Sequence, residues 1–402
     1  MITPFDDRAD CCGCTACVHA CPRDALAMRP DAEGFAYPVT DASRCIDCGL
    51  CRRICAFQND RSFRSNGPMG DLPRVLAVKH RNVAIRSQSQ SGGLFTLLSD
   101  PVLAAGGVVY GAGFREDFSV AHQRATTREA RDELRGSKYV QSDLGRIFRD
   151  VRCDLEAGRL VLFSGTPCQV AALDRALTVA KVDRSHLLLC DLVCHGTPSP
   201  RLWRDYLTWM ARREGSAIVR ACFRDSQRFG WHTGLGTLAF ANGHTAVTDL
   251  FAQFFLKDLV LRPSCHVCPY ATLTRVSDIT MGDFWGIERA HPDFGDNIGV
   301  SLALIHSDKG RQAIEAASAR MECVESCAEK AMQPNLRAPS KPSPRREQFW
   351  SDYERRGFDF VLMKYASIEL KKQKMKRTLK ELLLKTGLWT ALHSIRKKSR
   401  SK

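Results

Sequence analysis

Two cysteine runs near the N-terminus have the spacing of iron–sulfur ligands. "CCGCTACVHACP" sets out Cys11, Cys14, Cys17 and Cys21 as C-x-x-C-x-x-C-x-x-x-C-P. "CIDCGLCRRICA" repeats the run with Cys45, Cys48, Cys51 and Cys55, with Ala56 where proline is usual. Three thiolates this close cap one face of a 4Fe–4S cube, and the fourth of each run reaches across to the other cube. The spacing predicts one cluster on Cys11, Cys14, Cys17 and Cys55, and a second on Cys45, Cys48, Cys51 and Cys21. Gly13 and Gly49 fall where backbone must wrap close to the inorganic core. Structural zinc is the alternative, but its ligands seldom come as a three-plus-one run. Cys12 reads as a bystander thiol and His19 as a packing or surface residue. Such a module moves one electron per cluster and performs no substrate chemistry, so it implies a redox partner at each end.

A further pair, Cys265 and Cys268 in "LRPSCHVCPY", stands alone and needs two more thiolates to close a site. Cys168 sits at the start of a predicted helix in "SGTPCQVAAL", and Cys194 follows the apolar strand "LLLCDLV". Both fall at strand ends, where an open α/β sheet places its ligand crevice. These four are predicted to form a third site, a 4Fe–4S cluster or a zinc; the spacing fits both. Cys190 is the rival fourth ligand, but it falls within the strand and is expected to be buried.

The elements that must position these groups follow from periodicity. "GGVVYGAGF", "GRLVLFSG", "HLLLCDLVC" and "GVSLALIH" are strand-like, and "TPCQVAALDRAL" and "SPRLWRDYLTWMARREG" are helical. The alternation predicts an α/β domain. Two strand-to-helix loops leave backbone N–H groups free for an anion: Ser164-Gly165-Thr166 ahead of Pro167, and Ser91-Gly92-Gly93. The organisation expected is a dicluster ferredoxin-type domain over 1–57, a linker over 58–73, the α/β domain over 74–332, a Pro-rich linker over 333–347 and a basic helical tail over 348–402.

The chain has 402 residues, 44% of them hydrophobic, with 18 cysteines and a net charge of +15. That length supports a large core, and cysteines in a long chain do not resemble the disulfide framework of a small secreted scaffold. The N-terminus lacks the pattern of a signal peptide, and no apolar run approaches a spanning helix. A reducing cytoplasm is the expected location. Residues 364–402 carry thirteen Lys or Arg against Glu369 and Glu381, a local net of +11, so most of the excess charge is there. With Leu379, Leu382, Leu383, Leu384, Trp389 and Ile395 among the lysines, this tail predicts an amphipathic helix suited to the anionic inner face of a membrane. A solvated helix packed on the domain is the plainer alternative. The leucine-rich face suits nucleic acid less well.

Six motifs, "SQSGGLFTLL", "GSKYVQSDLG", "SGTPCQVAAL", "DLVCHGTPSP", "RPSCHVCPY" and "DITMGDFWGI", resemble the beta-subunit family of coenzyme F420 hydrogenase/dehydrogenase. "CIDCGLCRRIC" and "EGFAYP" resemble the dicluster ferredoxin domain that many members carry in front. The resemblance spans roughly residues 10 to 330. It implies an α/β flavoprotein holding FAD beside a 4Fe–4S cluster, with electrons passing between them and a hydride exchanged with an organic partner. That partner is coenzyme F420 in one branch and the substrate itself in others. Members with a ferredoxin module and a basic tail also occur in bacterial surface-polysaccharide gene sets.

Carried over by resemblance, the flavin pocket comprises Ser91, Gly92, Gly93, Ser137, Lys138, Tyr139, Ser164, Gly165, Thr166 and Gln169. Lys138 is the candidate to stabilise the reduced anion. His195 is a candidate general acid, or a donor to a cluster sulfur. Asp283 in "MGDFWG" is expected to organise a turn, and Trp231 and His232 to lie over a ring or pack in the core. The leading expectation is an iron–sulfur flavoenzyme. The alternative is an electron-transfer subunit that docks on a catalytic partner and has no substrate of its own.

Overall fold

Short apolar runs become the parallel centre of an eight-stranded sheet. In the computed structural model, which describes residues 3–59 and 72–385 (side chains through 366), β3 is Arg74–His80, β4 Val108–Phe114, β5 Val120–Ala125, β6 Val161–Ser164, β7 Leu187–Leu192, β11 Ile279–Asp283, β12 Ser301–Ile305 and β13 Met321–Ser326. The order is β13-β3-β12-β11-β7-β6-β4-β5, parallel from β11 through β4 and antiparallel at both flanks. All residues of β6 and β12 are buried, as expected of strands covered on both faces. Residues alternate between two cores. Val108, Val161, Phe163, Leu187 and Leu189 face the helices Ile147–Glu156 and Pro167–Val179. Val109, Leu162 and Cys190 face the helices Leu94–Ala104 and Asp308–Ala317.

The cysteine-rich segment packs on the first of these cores through Cys12, Cys14, Ala16, Ala56 and Phe57. Its own secondary structure is slight: the helices Ala16–Ala20 and Leu50–Arg53, and a hairpin of β1, Leu26–Pro30, with β2, Ala36–Thr40. Between β7 and β11 the chain inserts the helix Pro200–Glu214, a three-stranded antiparallel sheet of β8 (Ile218–Cys222), β9 (Thr237–Phe240) and β10 (Thr245–Val247), and the helix Asp249–Leu256.

Residues Met1–Ser343 form one compact unit and Pro344–Lys402 another. The second runs Arg346–Lys385 as helix broken at Gly357, where φ is 77°. Lys364 Nζ and Tyr365 Oη both donate to Asp352, at 2.6 and 2.7 Å. A straight helix would hold residues twelve apart about 18 Å away from each other, so the chain reverses at the glycine. The tail expected to meet a membrane falls largely outside the described residues: the side chains of 367–385, and all of 386–402 including Trp389. Among the described residues no helix is long and apolar enough to cross a membrane.

Gly92 belongs to the scaffold. A Cβ there would lie 2.0 Å from the Val78 carbonyl oxygen and 2.5 Å from the Ser301 amide nitrogen. Gly92→Ala is therefore expected to destabilise the protein by about 1–3 kcal/mol. A thermal melt of flavin-free protein checks this; an unchanged melting temperature would make the glycine a ligand contact only.

Candidate functional site: cysteine sets and an adjoining cavity

The sulfurs gather at three places. Cys11, Cys14, Cys17 and Cys55 line one small cavity, together with Cys51. Cys21, Cys45, Cys48 and Cys51 line a second. The crossed arrangement expected from the spacing thus has its counterpart in space, with Cys55 beside the first run and Cys21 beside the second. Cys14 is buried and Cys48 exposed, so the second set is the outer one.

Cys168, Cys194, Cys265 and Cys268 line the third cavity. The loop after β7 runs beside the segment leading to Cys265: Arg262 N donates to Thr197 O at 3.1 Å, and Ser199 N to Val260 O at 3.1 Å. Gly196, at φ 144°, lets the two touch; a Cβ there would lie 2.8 Å from Leu261. Thr197 N points at Cys265 Sγ, 3.4 Å away. Cys168 is delivered by the N-terminal turn of the helix Pro167–Val179. Cys190 is fully buried in β7 and takes no part. Cys12 is no bystander. It lines both the first and third cavities, and its thiol is hydrogen-bonded to those of Cys14 and Cys168. Among the described residues no three His, Cys, Asp or Glu side chains are grouped closely enough to hold a single metal ion. Four thiols around one cavity are a donor set for a 4Fe–4S cube or for a zinc.

A cavity of about 650 Å³ adjoins the third set and shares Thr166, Cys194, His195, Gly196, Thr197 and Asn335 with it. Of the residues expected to bind flavin, Ser91, Gly93, Ser137, Lys138, Tyr139, Ser164, Gly165, Thr166 and Gln169 line it; Gly92 does not. Its charged walls are Arg135, Lys138, Arg224 and Asp283, an excess of cations that suits a phosphate-bearing ligand. Gln90 Nε2 is buried there with no hydrogen-bond partner, close to the Gly93 N-cap of the helix Leu94–Ala104. An orphaned donor at a helix N-terminus fits an anionic group. A dinucleotide's size is within the range of such a cavity.

The Ser164–Thr166 loop is fixed by a relay of neutral groups. Gln169 accepts from Thr166 N at 2.9 Å and donates to Ser142 Oγ at 3.0 Å. Ser142 lies 2.9 Å from His122 Nδ1, and His122 Nε2 donates to the Ser164 carbonyl at 3.0 Å. Burial pulls His122 down to about 4, against the opposing pull of the Ser164 carbonyl and Asp143.

Arg224, unnoticed in the sequence, organises the opposite wall. It donates to Asp283 Oδ2 at 2.5 Å and to the Trp231 carbonyl at 2.9 Å, and it bonds the Tyr139 hydroxyl. Asp283 also accepts from Trp231 Nε1 at 3.0 Å, so the carboxylate anchors side chains where a turn was expected. Trp231 is fully buried and stacks on Trp285, with ring centroids 4.9 Å apart, while His232 lines the cavity. Lys138 donates to the carbonyls of Arg135 and Glu133 at 2.7 and 3.2 Å. Burial pulls its ammonium down to about 7, with Glu133 opposing. His195 has its ring nitrogens against Asp258, at 2.7 Å, and Asn335, at 3.3 Å, rather than against a sulfur.

The neutral His122 gives a pH signature. Its folded pKa lies below the ordinary value of about 6.5, so the unfolded chain binds the extra proton. Its contribution is present above about pH 6.5 and lost as pH falls toward 4, roughly 3 kcal/mol in all. Thermal melts between pH 5 and 7.5 should show a shallower acid loss for His122→Gln than for the wild type.

Residues 158–330 match the family model for the C-terminal part of the coenzyme F420 hydrogenase/dehydrogenase beta subunit. Residues 10–59 match the 4Fe–4S dicluster domain, a module that holds two such clusters. Among solved structures, a chain of the F420-reducing NiFe hydrogenase complex from Methanosarcina barkeri is similar at 19% identity and a TM-score of 0.44, over 76% of this chain and 94% of that one. No curated individual protein matches. The chain is an iron–sulfur electron-transfer protein related, over residues 158–330, to the C-terminal part of the coenzyme F420 hydrogenase/dehydrogenase beta subunit, with a 4Fe–4S dicluster domain at residues 10–59.

Proposed function

We propose that this protein is an FAD- and 4Fe–4S-dependent oxidoreductase that takes electrons from a ferredoxin-type donor and delivers them as hydride to an organic acceptor. The observation that carries this reading is the adjacency of the third cysteine set and the large cavity, which have Cys194 and its loop in common. Cys21, Cys45, Cys48 and Cys51 would hold an outer cluster, Cys11, Cys14, Cys17 and Cys55 the next, and Cys168, Cys194, Cys265 and Cys268 a third beside the cavity, and these would supply one-electron steps. When bound, a flavin supplies the conversion of single electrons into a two-electron hydride transfer, which clusters alone lack.

The chain's residues do the rest. The Gln169–Ser142–His122 relay holds the Ser164–Thr166 loop, Gln90 and the Gly93 N-cap would meet phosphate, and Arg224 and Tyr139 wall the cavity together. Lys138 and His195 are the candidates for charge and proton handling at that wall. The acceptor is coenzyme F420 or a precursor in surface-polysaccharide assembly. Contact of residues 364–402 with anionic lipid would keep the enzyme at the inner membrane face. The second reading, a relay docked on a catalytic partner, rests on the exposed Leu192, Leu256 and Trp285 around the cavity, a rim that a partner could cover.

Protein purified without oxygen should contain about twelve irons and one FAD per chain, and Cys265→Ser should lose about four irons. Eight irons with one zinc and no flavin would leave the relay. Reduction of F420 by the isolated chain, with a reduced ferredoxin as donor, separates the acceptor classes.

A further inference from the structure

Arg262 lies three residues before Cys265, and its side chain reaches the N-terminal cysteine loop. It is 1% exposed. Nε donates to Cys11 O at 2.7 Å, Nη1 to Gln141 Oε1 at 2.9 Å and Nη2 to Ala36 O at 3.0 Å; Nη2 also faces Cys11 Sγ at 3.7 Å. The guanidinium lies over the Tyr37 ring, 4.1 Å from its centroid. Gln141 completes the clasp by donating to the Cys12 carbonyl at 3.0 Å. Gly13 is held at φ 72° beneath it, where a Cβ would lie 2.6 Å from Gln141 and 2.8 Å from Arg262.

These oxygen partners are neutral. Among the described residues no carboxylate pairs with this charge, and an uncompensated buried cation is costly. The charge lies beside two of the cysteine sets: Nη2 faces Cys11 of the first, and Arg262 lines the third cavity together with Cys168 and Cys265. Arg262 does not line the outer set's cavity, whose own cation, Arg23, is exposed to solvent. Four thiolates around a 4Fe–4S cube carry net negative charge, which grows by one on reduction. A fixed cation close by favours the reduced form, as do hydrogen bonds to the sulfurs.

We propose that Arg262 is a positioning residue for electron flow, whose buried charge raises the reduction potentials of the first and third clusters above that of the outer one. An electron from a ferredoxin-type donor then runs inward. At each transfer one cluster loses one electron and the next gains it; no bond breaks, and Arg262 carries no proton. Cys12 lines the cavities of both the first and the third set. This inference rests on the three-cluster reading, so its test first measures loading.

The experiment uses the full chain purified without oxygen: iron and sulfide per chain, then a redox titration followed by electron paramagnetic resonance. Arg262→Met and Arg262→Gln remove the charge, and Arg262→Lys keeps it. In loaded Met and Gln variants, the partition of electrons toward the first and third clusters should fall roughly tenfold relative to the outer cluster, about 59 mV for a one-electron couple. The Lys variant should recover at least half of that shift. Fully loaded variants in which no cluster moves, or all three move alike, overturn the proposal. If the neutral variants fail to load, Arg262→Lys decides. Near wild-type potentials support the charge, and a full tenfold displacement overturns it. A wild-type chain with about eight irons would sink the third cluster instead, leaving the first and outer clusters to judge Arg262.

Discussion

One guanidinium joins the N-terminal cysteine loop to the segment of the third cysteine set. Arg262 stems from the segment that carries Cys265 and Cys268, and it ends on the carbonyl and sulfur of Cys11. Its burial is tolerable because three carbonyl-type oxygens accept its hydrogen bonds and its face lies on the Tyr37 ring. The glycines at 13 and 196 follow from the same demand. Each lets one cysteine loop press against its neighbour where a Cβ would collide. Gln141, which touches Arg262 and the Cys12 carbonyl, brings the loop beside Lys138 and Tyr139 into register with the same point.

The sheet sets the other half of the geometry. Ser164 pairs with Cys190 at the ends of parallel β6 and β7, so the loops that follow start from one edge. One carries Cys168 on a helix N-terminus and the other carries Cys194. The inserted segment after β7 then walls the large cavity with Phe223, Arg224, Phe251 and Phe255. The third cysteine set and the large cavity therefore adjoin at one edge of the sheet.

Much of this was legible in the sequence because local rules carried it. The doubled cysteine run needs only spacing, and buried strands announce themselves as apolar runs. Cys168 and Cys194 could be joined to the distant pair because strand ends are where such sheets place their sites. What escaped depended on long-range contact. Cys12 looks like a duplicate of its neighbour until Cys168 is brought against it. Arg262 and Arg224 are ordinary arginines until burial removes their water. Gly92 has a phosphate-loop setting, but its place between Val78 and Ser301 is a matter of strand packing. A sequence-only signal existed for Arg262 alone, as a charged residue ahead of proline in a cysteine motif.

The inserted segment also bears on the order of assembly. β7 and β11 are neighbours in the sheet although the whole insertion separates them in sequence. The first two cysteine sets are complete by residue 55, whereas the third needs 168, 194, 265 and 268. Closing so long a loop carries an entropy cost and slows folding. During synthesis the N-terminal thiols emerge as a finished ligand set well before the body can fold. The third set exists only once its sheet has closed, so it is the last of the three to assemble.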